Sequence, residues 1–370
     1  MITRVGIQNF KAFKEAEINL SSLNLFTGLN GMGKSTFIQS LLLLRQSDAH
    51  FMLDMKGLVL KGEIIDLGKG RDIYNIHANE DYINFDIDIN YQNYLNLTFQ
   101  YEAENDVLAI SKSHNQSFNN PGTAALFSNR FTYLKAERIS PEHNYKANLA
   151  AVKQSRFLGY KGENTPLYIA LYRHEIVTLS GVRHKNAKAP NLISNIDAWL
   201  NEIAPGTHVI STYYNELDIV KMGFQFESGN DYTPEFSPPN VGFGITYLLP
   251  VITALLTAEK GDLIIIENPE AHLHPQGQAK MGELIARAAN EGVQIIVESH
   301  SDHLFNGIRV AVKEKLISTD DVSIFYFERE ANSTEHVTTI TQPHLTEDGR
   351  ITQRPKGFFD EHTKLLDQLM

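Results

Sequence analysis

The stretch GLNGMGKST, Gly28 to Thr36, follows the apolar run LNLF and leads into FIQSLLLLRQ. Strand, glycine-rich loop and helix in that order constrain this chain more than any other feature it carries. Gly28, Gly31 and Gly33 let the backbone turn tightly enough for its N–H groups to face one point. The helix start that follows adds the positive end of its dipole, so the loop suits phosphate oxygens. In such a loop Lys34 reaches the β- and γ-phosphates of a nucleotide and Ser35 ligates Mg²⁺. Asn30, Met32 and Thr36 complete the segment expected to bind ATP. An ordinary glycine-rich turn is the plainer alternative, and the flanking strand and helix disfavour it.

A second cluster of signals lies far downstream. LIIIENPEAHLHP places Glu267 at the end of a buried apolar strand, and GVQIIVESHSDHLF ends another such strand near Glu298, just before His300. The helical stretch QGQAKMGELIARAAN between them completes a βαβ unit of a parallel sheet, and ligands bind such sheets at strand C-terminal ends. Taken alone, Glu267 is equally well a surface acid and His300 a helix-start residue without chemistry. The pairs His272/His274 and His300/His303 suggest zinc only weakly, because a zinc site needs three or four convergent ligands. Upstream, NVGFGITYLLPVITALL sets Asn240, Gly242 and Gly244 at the start of a long apolar helix, a further place for an anion or for plain close contact.

Composition narrows the class. At 370 residues and 42% hydrophobic the chain can bury a large core. No cysteine is present, which excludes disulfides, thiolate metal sites and a cysteine nucleophile. A net charge of −11 argues against a surface built wholly for nucleic acid, although a local basic patch is compatible with it. No secretory leader and no long apolar span are evident, so the expectation is a cytoplasmic protein without membrane contact.

The phosphate loop, the N-x-G-x-G helix start, the strand ending in ENPEAHLHP and the strand before His300 together resemble ABC-like ATPases. That group includes the RecF, structural-maintenance-of-chromosomes (SMC) and overcoming-lysogenisation-defect proteins. NVGFGITYLLPV, ENPEAHLHP, ESHSDHLFNGIR and GRITQRPKGFFDE resemble more narrowly a prokaryotic subgroup of stand-alone AAA-type ATPases, of anti-phage defence type, with a C-terminal G-F-F-D domain of unknown function. The resemblance implies an α/β P-loop ATPase head with a mixed or parallel sheet core and an antiparallel β-rich lobe. It implies that the glycine signature closes over ATP held by the opposite subunit, with Asn240 and Gly242 in the signature's Ser and Gly positions. His300 matches the switch histidine that contacts the γ-phosphate. FTYLKAERISPEHNY resembles a segment between loop and signature, which makes Arg138 a candidate sensor of nucleotide or DNA; a surface arginine is the alternative.

In the resembled group the acid after the strand organises the Mg²⁺ shell, through water if not directly, and the next residue orients the attacking water. Glu267 fills the first role; Asn268 occupies the second and cannot accept a proton as a carboxylate does. Glu270, the nearest other carboxylate, is the expected water-activating residue, with a structural acid as the alternative. The expectation is therefore slow hydrolysis by a switch that needs ATP and Mg²⁺. One loop and one signature per chain call for a second copy to make two complete sites.

The expected organisation is one ATPase domain. It comprises a phosphate-loop segment (1–58), a β-rich lobe (59–135), a helical or mixed insertion (136–235), a segment with signature, strand acid and switch histidine (236–340), and a tail (341–370). GEIIDLG, YINFDIDINYQNYLNLTFQYE and DVLAISKS read as antiparallel strands, and HNQSFNNPG as an exposed loop. Arg183, His184, Lys185 and Lys188 form a basic loop, either for phosphate backbone or simply solvated. Too little chain follows His300 for a nuclease domain. The expected function is thus an ATP-gated dimer controlling a separate effector such as a nuclease, in anti-phage defence or DNA maintenance. The alternatives are a RecF-like repair ATPase acting on DNA and a non-hydrolysing scaffold. A transporter ATPase fits the β-rich insertion poorly, and no N-K-x-D segment suggests GTP.

Overall fold

The computed structural model describes residues 1–48, 55–90, 93–111, 124–329, 338–355, 357–359, 365 and 367–369. The expected loop at 114–122, most of the expected strand region at 331–340 and the end of the G-F-F-D segment lie outside the described residues. The chain forms two compact units, one of Met1–Phe131, Val322–His344 and Ile351–Met370, the other of Thr132–Asp321 and Leu345–Arg350.

In the first unit the strand Leu23–Gly28 runs parallel to Val322–Arg329, which pairs antiparallel with Thr338–Thr341. The helix Lys34–Ser47 follows the loop and buries Phe37, Ile38 and Leu41 to Leu44. A separate antiparallel sheet orders its strands Phe13–Asn19, Ile2–Phe10, Tyr82–Ile89 and Asn93–Gln100. Strict alternation sends Val5, Ile7, Ile83, Phe85, Ile87, Leu95, Leu97 and Phe99 inward, as a half-solvated sheet requires. The β-rich lobe thus recruits the two N-terminal strands as well as residues after 59. One expected strand is absent: Gly62–Gly68 is a turn. The side chain of Gln46 explains it, because its Oε1 accepts from the N–H groups of Ile64 (3.1 Å) and Ile65 (3.0 Å), which a ladder would otherwise use.

The second unit holds the βαβ core. Leu263–Glu267 and Gln294–Glu298 pair in parallel, with Glu267 opposite Glu298, and the helix Pro275–Asn290 connects them. Both strands are buried almost throughout, which explains their uninterrupted apolar runs. The helix Asp302–Lys313 follows, its Ser301 hydroxyl accepting from Leu304 N–H (2.9 Å) as an N-cap. The apolar helix is Phe243–Thr257, buried from Thr246 to Leu256. A hairpin of Thr207–Tyr214 and Ile219–Ser228, with the helix Leu192–Ile203, completes the unit around buried Trp199. The fold is α/β, with parallel core strands and an antiparallel lobe. Among the described residues no helix is long and apolar enough to cross a membrane.

Candidate nucleotide site

The phosphate loop is shaped by backbone. Gly31 and Gly33 have φ of 75° and 102°, and Gly28, at 130°, lies so close to Phe327 that a Cβ would stand 2.2 Å from its carbonyl oxygen. No other residue fits there. Gly33 precedes the helix with no side-chain cap, leaving the helix start to ligands and backbone. Lys34 is only 3% exposed, and its Nζ donates to the carbonyls of Gly28 (2.8 Å) and Leu29 (2.9 Å). A phosphate oxygen would offer that ammonium a charged acceptor in place of neutral ones, so the loop fits the nucleotide its sequence implies. Asn30, Gly31 and Ser35 are exposed, Met32 is half-buried and Thr36 is buried.

Glu267, Asn268, Glu270 and His300 come together in the second unit. Both Glu267 carboxylate oxygens are held: Oε1 accepts from Tyr133 Oη (2.8 Å) and Oε2 from Ala136 N–H (3.0 Å). A carboxylate so oriented retains lone pairs, a hard oxygen donor of the kind that suits the water shell of Mg²⁺. Burial, and then the Glu267 charge, push the Tyr133 phenol far above its ordinary range, so it stays a donor.

Asn268 takes φ of 45°, a left-handed conformation that asparagine tolerates better than most residues. Its N–H donates to the Glu298 carbonyl (2.8 Å), which ties the turn to the neighbouring strand. Its Oδ1 is buried with no partner among the described residues. Glu270 accepts the His300 backbone N–H at Oε1 (2.9 Å), and its Oε2 is likewise buried and unpartnered. One carboxylate oxygen is therefore anchored, and the other keeps its lone pairs free of any partner among the described residues.

Arg138 is not the surface arginine of the alternative reading. It is 3% exposed and is neither a surface residue nor open to DNA. Its guanidinium donates to the carbonyl oxygens of Glu267 and Asn268 (3.0 Å for the latter). Burial lowers its pKa to about 10, which leaves it charged at neutral pH.

The helix start bearing Asn240 and Gly242 is exposed, with Asn240 Nδ2 donating to Ser237 Oγ (3.1 Å). The zinc reading has no support among the described residues, where no three metal-ligating side chains gather. His272 instead sets its ring edge-on to Phe243 and Tyr247, and His274 caps the helix Pro275–Asn290. The basic loop is partly consumed by structure: Arg183 Nε donates to the Val177 carbonyl (2.8 Å), and His184 sits beside Glu202 (3.2 Å) and Trp199. Tyr133, Ala136 and Tyr247 are neighbours of this turn that the sequence does not single out; the first two lie in FTYLKAER and the third in NVGFGITYLLPV, both quoted only for other residues.

A glycine loop of this form between a strand and a helix marks a P-loop protein of α/β fold. The profile of a family described as "AAA domain, putative AbiEii toxin, Type IV TA system" matches residues 23–306, and the chain belongs to that family. Residues 317–369 match a second family, described as "Protein of unknown function (DUF3696)". Two solved structures share the fold. The first, an Smc head bound to the C-winged helix domain of ScpA, has 13% identity and a TM-score of 0.54, over 93% of this chain and 98% of that one. The second is a Pyrococcus furiosus Smc head domain with an extended coiled coil, bound to the C-terminal domain of ScpA. It has 12% identity and a TM-score of 0.50, over 100% of this chain and 99% of that one. No curated protein sequence matches the chain.

Proposed function

We propose that this chain is an ATP-binding, slowly hydrolysing switch that works as a dimer and governs a separate effector protein. The family match spans residues 23–306 and includes both the loop and the Glu267–Glu270 turn, which supports assigning them to one ATP. Lys34 and the loop amides would hold the phosphates. Bound Mg²⁺ would neutralise charge between the β- and γ-phosphates, with Ser35 and Glu267 as its protein partners. Glu270 Oε2 takes the proton of the attacking water, while Asn268 orients that water through its side-chain amide without accepting the proton. His300, whose N–H anchors Glu270, connects the γ-phosphate to the base.

The observation that carries this reading is the Glu270 carboxylate, held at one oxygen by His300 N–H and bare at the other. A base displaced from the usual position suits slow turnover, and slow turnover suits a timed switch. Asn240 and Gly242, exposed at the helix start, would close over ATP held by a second copy. The two solved heads each bind a separate protein, ScpA; a comparable surface for an effector, such as a nuclease of anti-phage defence or DNA maintenance, fits a chain that keeps this head fold.

The test is ATP turnover with Mg²⁺ alongside solution mass, for wild type and Lys34→Ala. The expected result is slow turnover above the Lys34→Ala background and an ATP-dependent doubling of mass in wild type alone. Equal turnover and equal mass in both proteins would overturn the proposal.

A further inference from the structure

Helix Phe243–Thr257 touches the Asn268–His274 turn with no slack. A Cβ on Gly244 would stand 2.5 Å from the His272 carbonyl oxygen. Phe243 and Tyr247, one turn apart, place their ring centroids 4.8 Å and 5.1 Å from that of His272. A shift of the helix start cannot be absorbed there by empty space.

The same Tyr247 faces a second segment on its other side. Its hydroxyl donates to the Ala136 carbonyl and accepts the Arg138 N–H (2.9 Å). Ala136 N–H holds the Glu267 carboxylate. The Arg138 guanidinium carbon lies 5.2 Å from the centroid of the Tyr247 ring, while its N–H groups bind the carbonyls of Glu267 and Asn268. The two terminal nitrogens of Arg138 thus bind main chain, while its charge lies near both carboxylates. Its role is to fix the backbone from which Glu270 projects.

We propose that Arg138, stacked on Tyr247, is a positioning residue that carries the state of the glycine-led helix start to the turn presenting Glu270. The buried end of this connection is not in its best-satisfied arrangement. Arg138 Nε, Asn268 Oδ1 and Glu270 Oε2 are all buried with no protein partner among the described residues. A displaced turn, or a water bound there, would satisfy them, which is what a two-state element needs. The outer end is reachable, because Asn240, Gly242 and Phe243 are exposed. Here the proposal rests on the dimeric reading above: the helix start meets phosphates bound by a second copy. Occupancy of that nucleotide then sets the geometry of the base in this chain. Hydrolysis becomes cooperative in ATP, and the two sites fire as a pair.

The experiment uses the full chain as wild type, Tyr247→Phe and Arg138→Lys. Tyr247→Phe keeps the ring and its stack and removes only the hydroxyl. Four quantities are measured: ATP turnover against ATP concentration, affinity for a fluorescent ATP analogue, the unfolding midpoint, and backbone hydrogen exchange of residues 266–274 with and without ATP. Wild type should show a Hill coefficient above 1 and ATP-induced protection at 266–274. In Tyr247→Phe the Hill coefficient should fall to 1, kcat should drop about tenfold or more as both hydrogen bonds of the hydroxyl are lost, and the protection should vanish. Analogue affinity and unfolding midpoint should stay near wild type, and Arg138→Lys should follow the same pattern. A folded Tyr247→Phe that keeps wild-type cooperativity and protection overturns the proposal, as does a loss of affinity and midpoint in step with kcat. Absence of turnover in wild type would sink the hydrolytic reading alone, because the exchange measurement still decides the connection.

Discussion

At the phosphate loop the backbone supplies the shape, and one side chain, Lys34, supplies charge from among neutral carbonyls that already satisfy it. At the turn after Glu267 side chains supply almost everything. Tyr133 and Arg138 reach it from a segment roughly 130 residues earlier in the chain, at separations of 134 and 130 positions. It is also left with buried acceptors unmet. The first region is a finished receptor in which substitution acts mainly on shape. The second holds unmet polar atoms and a strained asparagine, so substitution there should act on rate.

The largest structural effect should come from the loop. Gly28→Ala would place a methyl carbon 2.2 Å from the Phe327 carbonyl oxygen. It should lower unfolding free energy by roughly 2–3 kcal/mol, read by denaturant titration; a change under about 0.5 kcal/mol would mean that shape there is not fixed by that contact. Tyr133→Phe should act the other way, costing about tenfold in turnover through loss of one hydrogen bond to Glu267 with little change in ATP affinity. If affinity falls instead, the turn belongs with the loop as a binding element. Asn268→Glu sharpens the contrast further. It restores a carboxylate where the resembled ATPases carry one, yet at φ of 45° it should cost about 1 kcal/mol of stability and leave turnover no faster than wild type in a steady-state assay.

The smallest effect lies outside both regions and provides a reference. Burial lowers the pKa of His184, with Glu202 opposing the shift. The unfolded chain therefore binds this proton more readily than the folded one, so stability is full above about pH 6.5 and declines as pH falls below it. The slope cannot exceed about 1.4 kcal/mol per pH unit. Unfolding midpoints from pH 7.5 to 5.5 should fall more steeply in wild type than in His184→Gln.

The same contrast governs what the sequence could disclose. The loop was legible because its chemistry is contiguous: Gly28 to Thr36 need only one another and a helix. The apolar strands ending at Glu267 and Glu298 were legible for the same reason, since burial on both faces leaves an unbroken run. The partners of Glu267 are not legible, because Tyr133 and Ala136 are distant in sequence and the segment FTYLKAER that holds them does not say what they meet. The burial of Arg138 is not legible either, since sequence does not distinguish an arginine that binds main-chain carbonyls from one that meets solvent. The strand expected at GEIIDLG failed because one amide, Gln46, captured its N–H groups, a competition invisible to alternation patterns. Asn268, which looks from sequence like a lost catalytic residue, has a backbone reason to be asparagine in its left-handed conformation.

The central claim is that Glu270, anchored by His300, takes the proton that Asn268 cannot. Its most direct test is steady-state ATP turnover of Glu270→Gln beside wild type and Lys34→Ala, with analogue binding measured on the same samples. Gln keeps the acceptor for His300 N–H and removes the base, so turnover should fall by roughly 10²–10⁴-fold, to the Lys34→Ala background, while nucleotide binding persists. A Glu270→Gln protein that hydrolyses ATP at the wild-type rate would contradict the account.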